Sequence, residues 1–197
     1  MSKLNVYESY NSQLGLYMPY SANVDIILMI IGLKPAVRTK TKQPNKFTCI
    51  KNWCKSWSFV SYMDQDNYVY IASNAKLIKQ LIDLDHLIQK QEDKLGQLLG
   101  YPDCCCKKIV EIGEECIDDY EQELCQKEFE ALFRLINPQN YRKGTAFISH
   151  VPCSTTCLDS LFIAQQLSLF ILKNKKHPAL HGWIDVLETV YKESLCQ

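Results

Sequence analysis

Three consecutive cysteines follow a proline in the stretch Gly100-Tyr101-Pro102-Asp103-Cys104-Cys105-Cys106. Glycine often ends a helix, and proline is tolerated in the first turn of the next one. The stretch therefore predicts a helix boundary, with the cysteines on or just inside a helix N-terminus. Adjacent positions on a regular element cannot all face one apolar core, so burial alone explains three neighbouring cysteines poorly.

A second cysteine cluster lies in His150-Val151-Pro152-Cys153-Ser154-Thr155-Thr156-Cys157, before a segment rich in Leu and Ile that predicts a helix to about Leu172. Both clusters thus precede or open a helix. Unpaired N–H groups and the positive end of the helix dipole lower the pKa of a thiol placed there. We expect the two helix ends to converge on one anionic centre.

The cysteine spacings favour a metal centre of the iron–sulfur type, since neighbouring Cys104 and Cys105 can fan around a cluster in a turn that enters a helix. Cys153 and Cys157 are spaced so that both reach one metal. Zinc is the alternative metal, although paired zinc ligands usually have two to four residues between them. In a metal-free alternative, Cys104, Cys105 or Cys106 is a nucleophile of low pKa, and Cys153 or Cys157 resolves it.

Two further residues near the clusters are candidates for catalysis. His150 precedes Cys153 by three residues, and it could bind the metal, carry a proton or donate a hydrogen bond to a sulfur. Cys106 adds a third thiol to the first cluster. The plainer interpretation of His150 is a histidine at the end of a strand with its hydrogen bonds satisfied.

Composition excludes several classes of protein. The 197 residues are 47% hydrophobic and carry no formal net charge, so no global field recruits nucleic acid or membranes. The N-terminus has no secretory signal, which predicts a cytoplasmic protein, and the longest apolar run, 26–31, is too short to span a bilayer. A reducing compartment argues against structural disulfides among the ten cysteines.

The hydrophobic patterns predict an α+β fold, with a small antiparallel sheet or hairpin in the first half and a predominantly helical second half. We expect a single domain over 1–197, divided into an irregular arm and basic loop over 1–56 and a cysteine-rich core over 57–197. A β-hairpin is predicted within 57–72. One helix, capped by Asn74, is predicted to run to about Leu99.

The segment 34–55 carries seven Lys and Arg residues without an acidic residue, and it predicts a basic loop. Aromatic residues such as Trp53 lie within or after it. Such a surface could bind an acidic peptide or protein, or more weakly a nucleic acid backbone on which aromatic rings stack. The alternative is a solvated loop that leads into a strand.

The two motifs together resemble a cysteine-rich prokaryotic family of unassigned function, with the patterns Gly-Tyr-Pro-x-Cys-Cys and His-x-Pro-Cys-Ser-x-x-Cys over roughly 68–170. The resemblance implies that Cys104, Cys105, Cys153 and Cys157 form the common set, with Cys106 an extra thiol of this chain.

From these observations we expect a cytosolic iron–sulfur enzyme or accessory protein of a biosynthetic or modification pathway. Its cluster, with the 4Fe-4S type favoured, would be held by the common set, and His150 and Cys106 would be the catalytic candidates. The alternatives are a metal-free redox or sulfur-transfer protein that uses the same cysteines, and a zinc-stabilised module that binds a peptide or a nucleic acid.

Overall fold

A computed structural model of the chain describes residues 2–88, 91–126 and 133–194. It confirms the α+β prediction, because a small antiparallel sheet lies in the first half and helices dominate the second half. The strands are β1 Ala36–Lys40, β2 Val60–Met63 and β3 Tyr68–Ala72. The helices are α1 Lys3–Leu14, α2 Ala22–Ile31, α3 Phe47–Ser56, α4 Ala75–Asp85, α5 Glu92–Leu98, α6 Asp103–Ile112, α7 Ile117–Gln126, α8 Phe133–Ile136, α9 Gln139–Arg142, α10 Leu158–Lys173 and α11 His181–Ser194.

The sheet contains the predicted hairpin of β2 and β3, and β1 adds to the other edge of β3. Val37 of β1 lies opposite Ile71 of β3 in an antiparallel register. The sequence pattern did not reveal β1, because Arg38 and Lys40 gave this segment the charge pattern of a loop. Central β3 is buried from Val69 to Ala72, so the sheet forms part of the core.

The prediction of an irregular N-terminal arm is wrong. Ser2 accepts a hydrogen bond from the N–H of Leu4 and so caps α1, and Tyr7, Tyr10 and Leu14 lie buried on one face of that helix. These residues recur every three or four positions, as a helix packed on a core requires. The many polar residues between them hid this period in the sequence.

The predicted basic loop over 34–55 is also wrong as a loop. It consists of β1, a short 3-10 turn over Pro44–Lys46, and α3. Two of its seven cations form ion pairs within the protein: Lys34 with Asp25, and Arg38 with Asp85 at 2.6 Å. Tertiary contacts have replaced solvent around these two side chains, whereas the other five cations of the segment, all lysines, are exposed.

The helix expected over 74–99 is divided. Asn74 caps α4 as predicted, by accepting a hydrogen bond from the N–H of Leu77, but α4 ends at Asp85 and α5 begins at Glu92. The sequence also predicts a helix over roughly 119–136, of which residues 127–132 lie outside the described residues. None of the helices in the described part of the chain has the length and apolar content needed to span a membrane.

A buried ion pair joins the first half of the chain to the second. Lys34 Nζ lies 2.5 Å from Asp25 Oδ1, and the two side chains are 3% and 1% exposed. Lys34 also donates to Ser149 Oγ at 2.8 Å, and Tyr141 donates to Asp25 at 2.5 Å. Burial lowers the pKa of Lys34, but the attraction of Asp25 and then Tyr101 outweighs burial and raises it. Lys34 is therefore a buried cation.

Lys34→Met is expected to destabilise the protein by about 3–5 kcal/mol, because it leaves the Asp25 carboxylate buried without its counter-charge. Lys79→Met is the matched control, since Lys79 pairs with Asp83 at 2.6 Å on the exposed face of α4. Such a surface pair contributes only about 0.3–0.5 kcal/mol. Urea unfolding measures both changes, and equal losses of stability would contradict the role given to Lys34.

Candidate metal centre

Four cysteine sulfurs come together where the two motifs meet. The Sγ atoms of Cys104, Cys105, Cys153 and Cys157 all lie within 4.8 Å of one another. Cys104 lies 3.6 Å from Cys157 and 3.9 Å from Cys105, and Cys105 lies 3.7 Å from Cys157. Cys105 and Cys157 are buried, whereas Cys104 and Cys153 are half-buried. This cluster of four close thiols could bind a metal ion.

Local structure places each sulfur as the sequence predicts. Pro102 directly precedes α6, so Cys104 and Cys105 lie in its first turn. Cys157 is the N-cap residue of α10, and Cys153 lies in the turn before it. The Tyr120 hydroxyl donates to the carbonyl oxygen of Cys153 at 2.6 Å, which anchors that turn. Two helix N-termini therefore converge on the sulfurs.

The Gly100 backbone brings the first motif against the N-terminal half of the chain. Its φ of +84° is left-handed, and a Cβ there would lie 2.5 Å from Cδ of Pro35. Glycine adopts this conformation without steric strain. Directly after it, the Tyr101 ring covers Lys34, whose Nζ lies 4.4 Å from the ring centroid. The motif is thus held by the buried ion pair as well as by α6.

Ser160 connects His150 to the sulfurs. Its hydroxyl is buried, donates to Cys157 Sγ at 3.2 Å, and lies 3.5 Å from Cys105 Sγ. His150 Nε2 lies 2.8 Å from the same hydroxyl oxygen. When the Ser160 hydroxyl donates to Cys157, Nε2 of His150 donates to the hydroxyl oxygen. His150 therefore contacts the sulfurs through Ser160, and its ring stays outside the sulfur cluster.

His150 is neutral. Burial, and next the charge of Lys34, lowers its pKa to about 3. A neutral imidazole with a protonated Nε2 keeps Nδ1 as an acceptor. The proposed catalytic role of His150 stays a prediction, but its geometry is that of a group that orients Ser160.

The thiol pKa values differ from those expected at helix ends. Burial, followed by the neighbouring thiols Cys153 and Cys157, raises the pKa of Cys104 to about 12. Burial also raises the pKa of Cys105 and Cys153. Only Cys157, among the four, has its pKa shifted down, to about 7: burial opposes ionisation, but the hydrogen bonds with Ser160 and with the Cys153 and Cys104 thiols together outweigh it. The low pKa predicted for a nucleophile at 104, 105 or 106 is thus wrong, because crowding and burial exceed the helix-end effect.

Cys106 faces away from the four sulfurs. Its Sγ lies 3.7 Å from the carbonyl oxygen of Tyr101, and burial, then the charges of Asp103 and Asp93, raises its pKa to about 11. A Cβ on Gly96 of α5 would lie 2.8 Å from this sulfur, so Cys106 fills the close contact between α5 and α6. Its catalytic role also stays a prediction.

A pocket of about 250 Å³ adjoins the cluster. Cys105 and Cys106 form part of its lining, together with the rings of Tyr101 and His150. Cys105 therefore belongs both to the sulfur cluster and to the pocket wall. A small molecule in this pocket would reach the centre from the side of Cys105.

The residues expected to bind an external partner lie elsewhere. Trp53 is buried, with its ring 5.6 Å from that of Tyr10 and 5.9 Å from that of Phe59. It packs in the core and is not available to stack on bases. An acidic peptide, protein or nucleic acid partner for the segment 34–55 stays a prediction.

The sequence pattern did not predict the roles of Ser160 and Tyr120 or the inward position of Lys34. Ser160 follows Cys157 by three residues, one turn along the predicted helix, and this spacing was the available signal. Nothing local identifies Tyr120 or Lys34, because their partners Cys153 and Asp25 reach them only through tertiary structure.

No protein-family model matches the chain, and comparison with curated proteins and with solved structures gives no significant match. The family resemblance of the two motifs stays a prediction, and function is inferred from the geometry of the centre.

Ser160→Ala is expected to weaken metal binding by about 10–100-fold, because outer groups that hydrogen-bond metal ligands commonly contribute this much. Ser168→Ala is the matched control: Ser168 is buried on the same helix, and its hydroxyl donates to the carbonyl oxygen of Ala164. Competition with a chromophoric zinc chelator measures both affinities. Unchanged affinity in Ser160→Ala would contradict the role of its hydroxyl.

Proposed function

We propose that the protein is a thiolate metalloprotein in which Cys104, Cys105, Cys153 and Cys157 bind one zinc ion. The separation of the sulfurs supports this choice. Four thiolates at about 2.3 Å from a tetrahedral zinc lie about 3.8 Å from one another. The separations of 3.6, 3.7 and 3.9 Å among Cys104, Cys105 and Cys157 correspond to that value.

An iron–sulfur cluster is the second candidate. In a four-iron cluster each thiolate binds a different iron, so the sulfurs must stand farther apart than around a single ion. The half-exposed Cys104 and Cys153 favour this candidate, since they leave one side of the centre open to a substrate. On this alternative the protein is the cytosolic iron–sulfur enzyme or accessory protein that the sequence predicts.

Zinc would act first as a cross-link. The ion would join the start of α6 to the start of α10, two segments about fifty residues apart, and its binding energy would stabilise the fold. A complete set of four cysteines is typical of structural zinc sites. The pocket beside Cys105 could hold a small molecule next to such a centre.

The thiol pKa values favour metal over free thiol chemistry. Three of the four thiols have raised pKa values, so without a metal they are poor nucleophiles at neutral pH. A metal ion must displace their protons, and zinc affinity should therefore rise as the pH rises.

Protein purified anaerobically is expected to contain one zinc ion per chain by elemental analysis. Cys105→Ser and Cys153→Ser each remove a ligand and should lose most of the zinc. Cys49→Ser is the matched control, because Cys49 is exposed and lies outside the cluster.

The iron–sulfur candidate would replace the zinc proposal if the protein contained iron with an equal amount of acid-labile sulfide and showed a broad visible absorption band. Protein without metal, even after reconstitution with zinc or with iron and sulfide, would contradict both metal proposals. Equal zinc content in all three variants would contradict the ligand assignment.

A further inference from the structure

The pocket beside Cys105 has an apolar interior and an acidic lining. Five aliphatic side chains form much of its wall: Leu95, Leu99, Ile109, Ile117 and Val151. Glu92 and Glu114 supply two carboxylates, and Arg38 supplies the one formal cation of the lining. A largely apolar pocket with a few charged groups is the usual form of a small-molecule site.

The charges of this pocket do not balance. Arg38 Nε is paired with Asp85 at 2.6 Å, and its guanidinium lies 4.2 Å from the ring centroid of Tyr68. Glu92 and Glu114, in contrast, have no ion-pair partner within the described ranges. The field inside the pocket therefore favours a cation.

We propose that this pocket binds a small organic cation, with an apolar body against the aliphatic wall and an ammonium group toward Glu92 and Glu114. The inference rests in part on the proposed zinc centre, because one zinc ion with four thiolates has a net charge of −2 beneath Cys105. The Tyr101 ring is already occupied by Lys34, so the carboxylates and the centre supply the attraction.

Three probes of nearly the same shape test the charge preference: benzylamine, benzyl alcohol and benzoate. In calorimetric titrations of the zinc-loaded protein, benzylamine should bind at least about threefold more tightly than benzyl alcohol, and benzoate the most weakly. The double variant Glu92→Gln/Glu114→Gln should lose most of the preference for benzylamine, since only the charge of the centre remains, and keep its affinity for benzyl alcohol. Glu111→Gln is the control, since Glu111 pairs with Lys108 outside the pocket lining.

Absence of benzylamine binding, or benzoate binding as tight as that of benzylamine, would overturn the proposal. The same titration on zinc-free Cys153→Ser protein separates the pocket proposal from the zinc proposal. Benzylamine binding that still depends on Glu92 and Glu114 in this variant supports the pocket without the metal. If the wild-type protein contains no zinc but benzylamine binding still depends on Glu92 and Glu114, the zinc proposal fails and the pocket proposal stands.

A second and independent observation concerns α10, whose solvent-exposed side also carries large apolar residues. Leu158, Phe162 and Leu169 are 80%, 57% and 61% exposed. They recur four and seven residues apart, so they form one stripe along the helix. Asp159 flanks the start of the stripe and Lys173 its end.

The exposed face of α10 can pair with the same face of a second copy whose helix runs in the opposite direction. In an antiparallel pair of α10 helices centred near Gln165, Phe162 of one copy meets Leu169 of the other. Asp159 then lies beside Lys173 of the other copy, on the same flank. A parallel pair would instead place both Asp159 side chains at one end and both Lys173 side chains at the other, so no opposite charges would meet. Closed two-fold dimers commonly use one self-complementary patch in this way.

We propose that a second copy of the chain covers this face, through antiparallel pairing of α10. Phe162→Glu alone and Leu169→Lys alone should each weaken dimerisation in sedimentation equilibrium. The double variant should dimerise more tightly than either single variant, because the carboxylate introduced at position 162 then faces the ammonium group introduced at position 169 of the other copy. Val110→Glu on α6 is the control, since Val110 is also exposed but lies off this face.

A wild-type protein that stays monomeric at all concentrations tested would overturn the dimer, as would full dimerisation of Phe162→Glu. A double variant no tighter than the single variants would overturn the antiparallel register. Circular dichroism of each variant checks that it remains folded.

Discussion

The ion pair between Lys34 and Asp25 joins three parts of the chain that no local pattern connects. Isolated buried charges cost several kcal/mol each, so such a pair persists only when further hydrogen bonds satisfy both partners. Ser149 and Tyr141 supply those bonds, and the Tyr101 ring covers the ammonium group. The pair thus holds α2 against both cysteine motifs, because Tyr101 belongs to the first motif and Ser149 directly precedes the second.

From this pair a chain of contacts leads to the sulfurs. The charge of Lys34 helps to keep the neighbouring His150 neutral, and His150 donates to Ser160, which donates to Cys157. Each step restrains the orientation of the next group. Cys157 has the lowered pKa among the clustered thiols because its sulfur takes part in hydrogen bonds with Ser160, Cys153 and Cys104. The buried polar groups of the first half therefore influence the chemistry of a centre built in the second half.

Chemistry at the centre depends on how closely its sulfurs approach. Separations of 3.6 and 3.7 Å suit one tetrahedral ion, and burial that raises thiol pKa values makes the same sulfurs poor free nucleophiles. A bound metal would account for both features, since it would replace the protons and give the crowded thiolates a common partner. The adjoining pocket brings a largely apolar cavity with two carboxylates to Cys105, and it would connect the proposed structural role of the ion with ligand binding.

The sequence by itself determined the α+β class, the β2–β3 hairpin, the Asn74 cap and the two cysteine-bearing helix starts, because turns, caps and short spacings are local properties. Only the tertiary structure decided that 3–14 is a helix, that β1 completes the sheet, and that Lys34 and Arg38 point to internal carboxylates. It also decided the sulfur separations and the inclusion of Ser160. These features depend on contacts with distant segments. A polar or charged side chain that would otherwise prefer water becomes buried when such a segment supplies a hydrogen-bond or ion-pair partner.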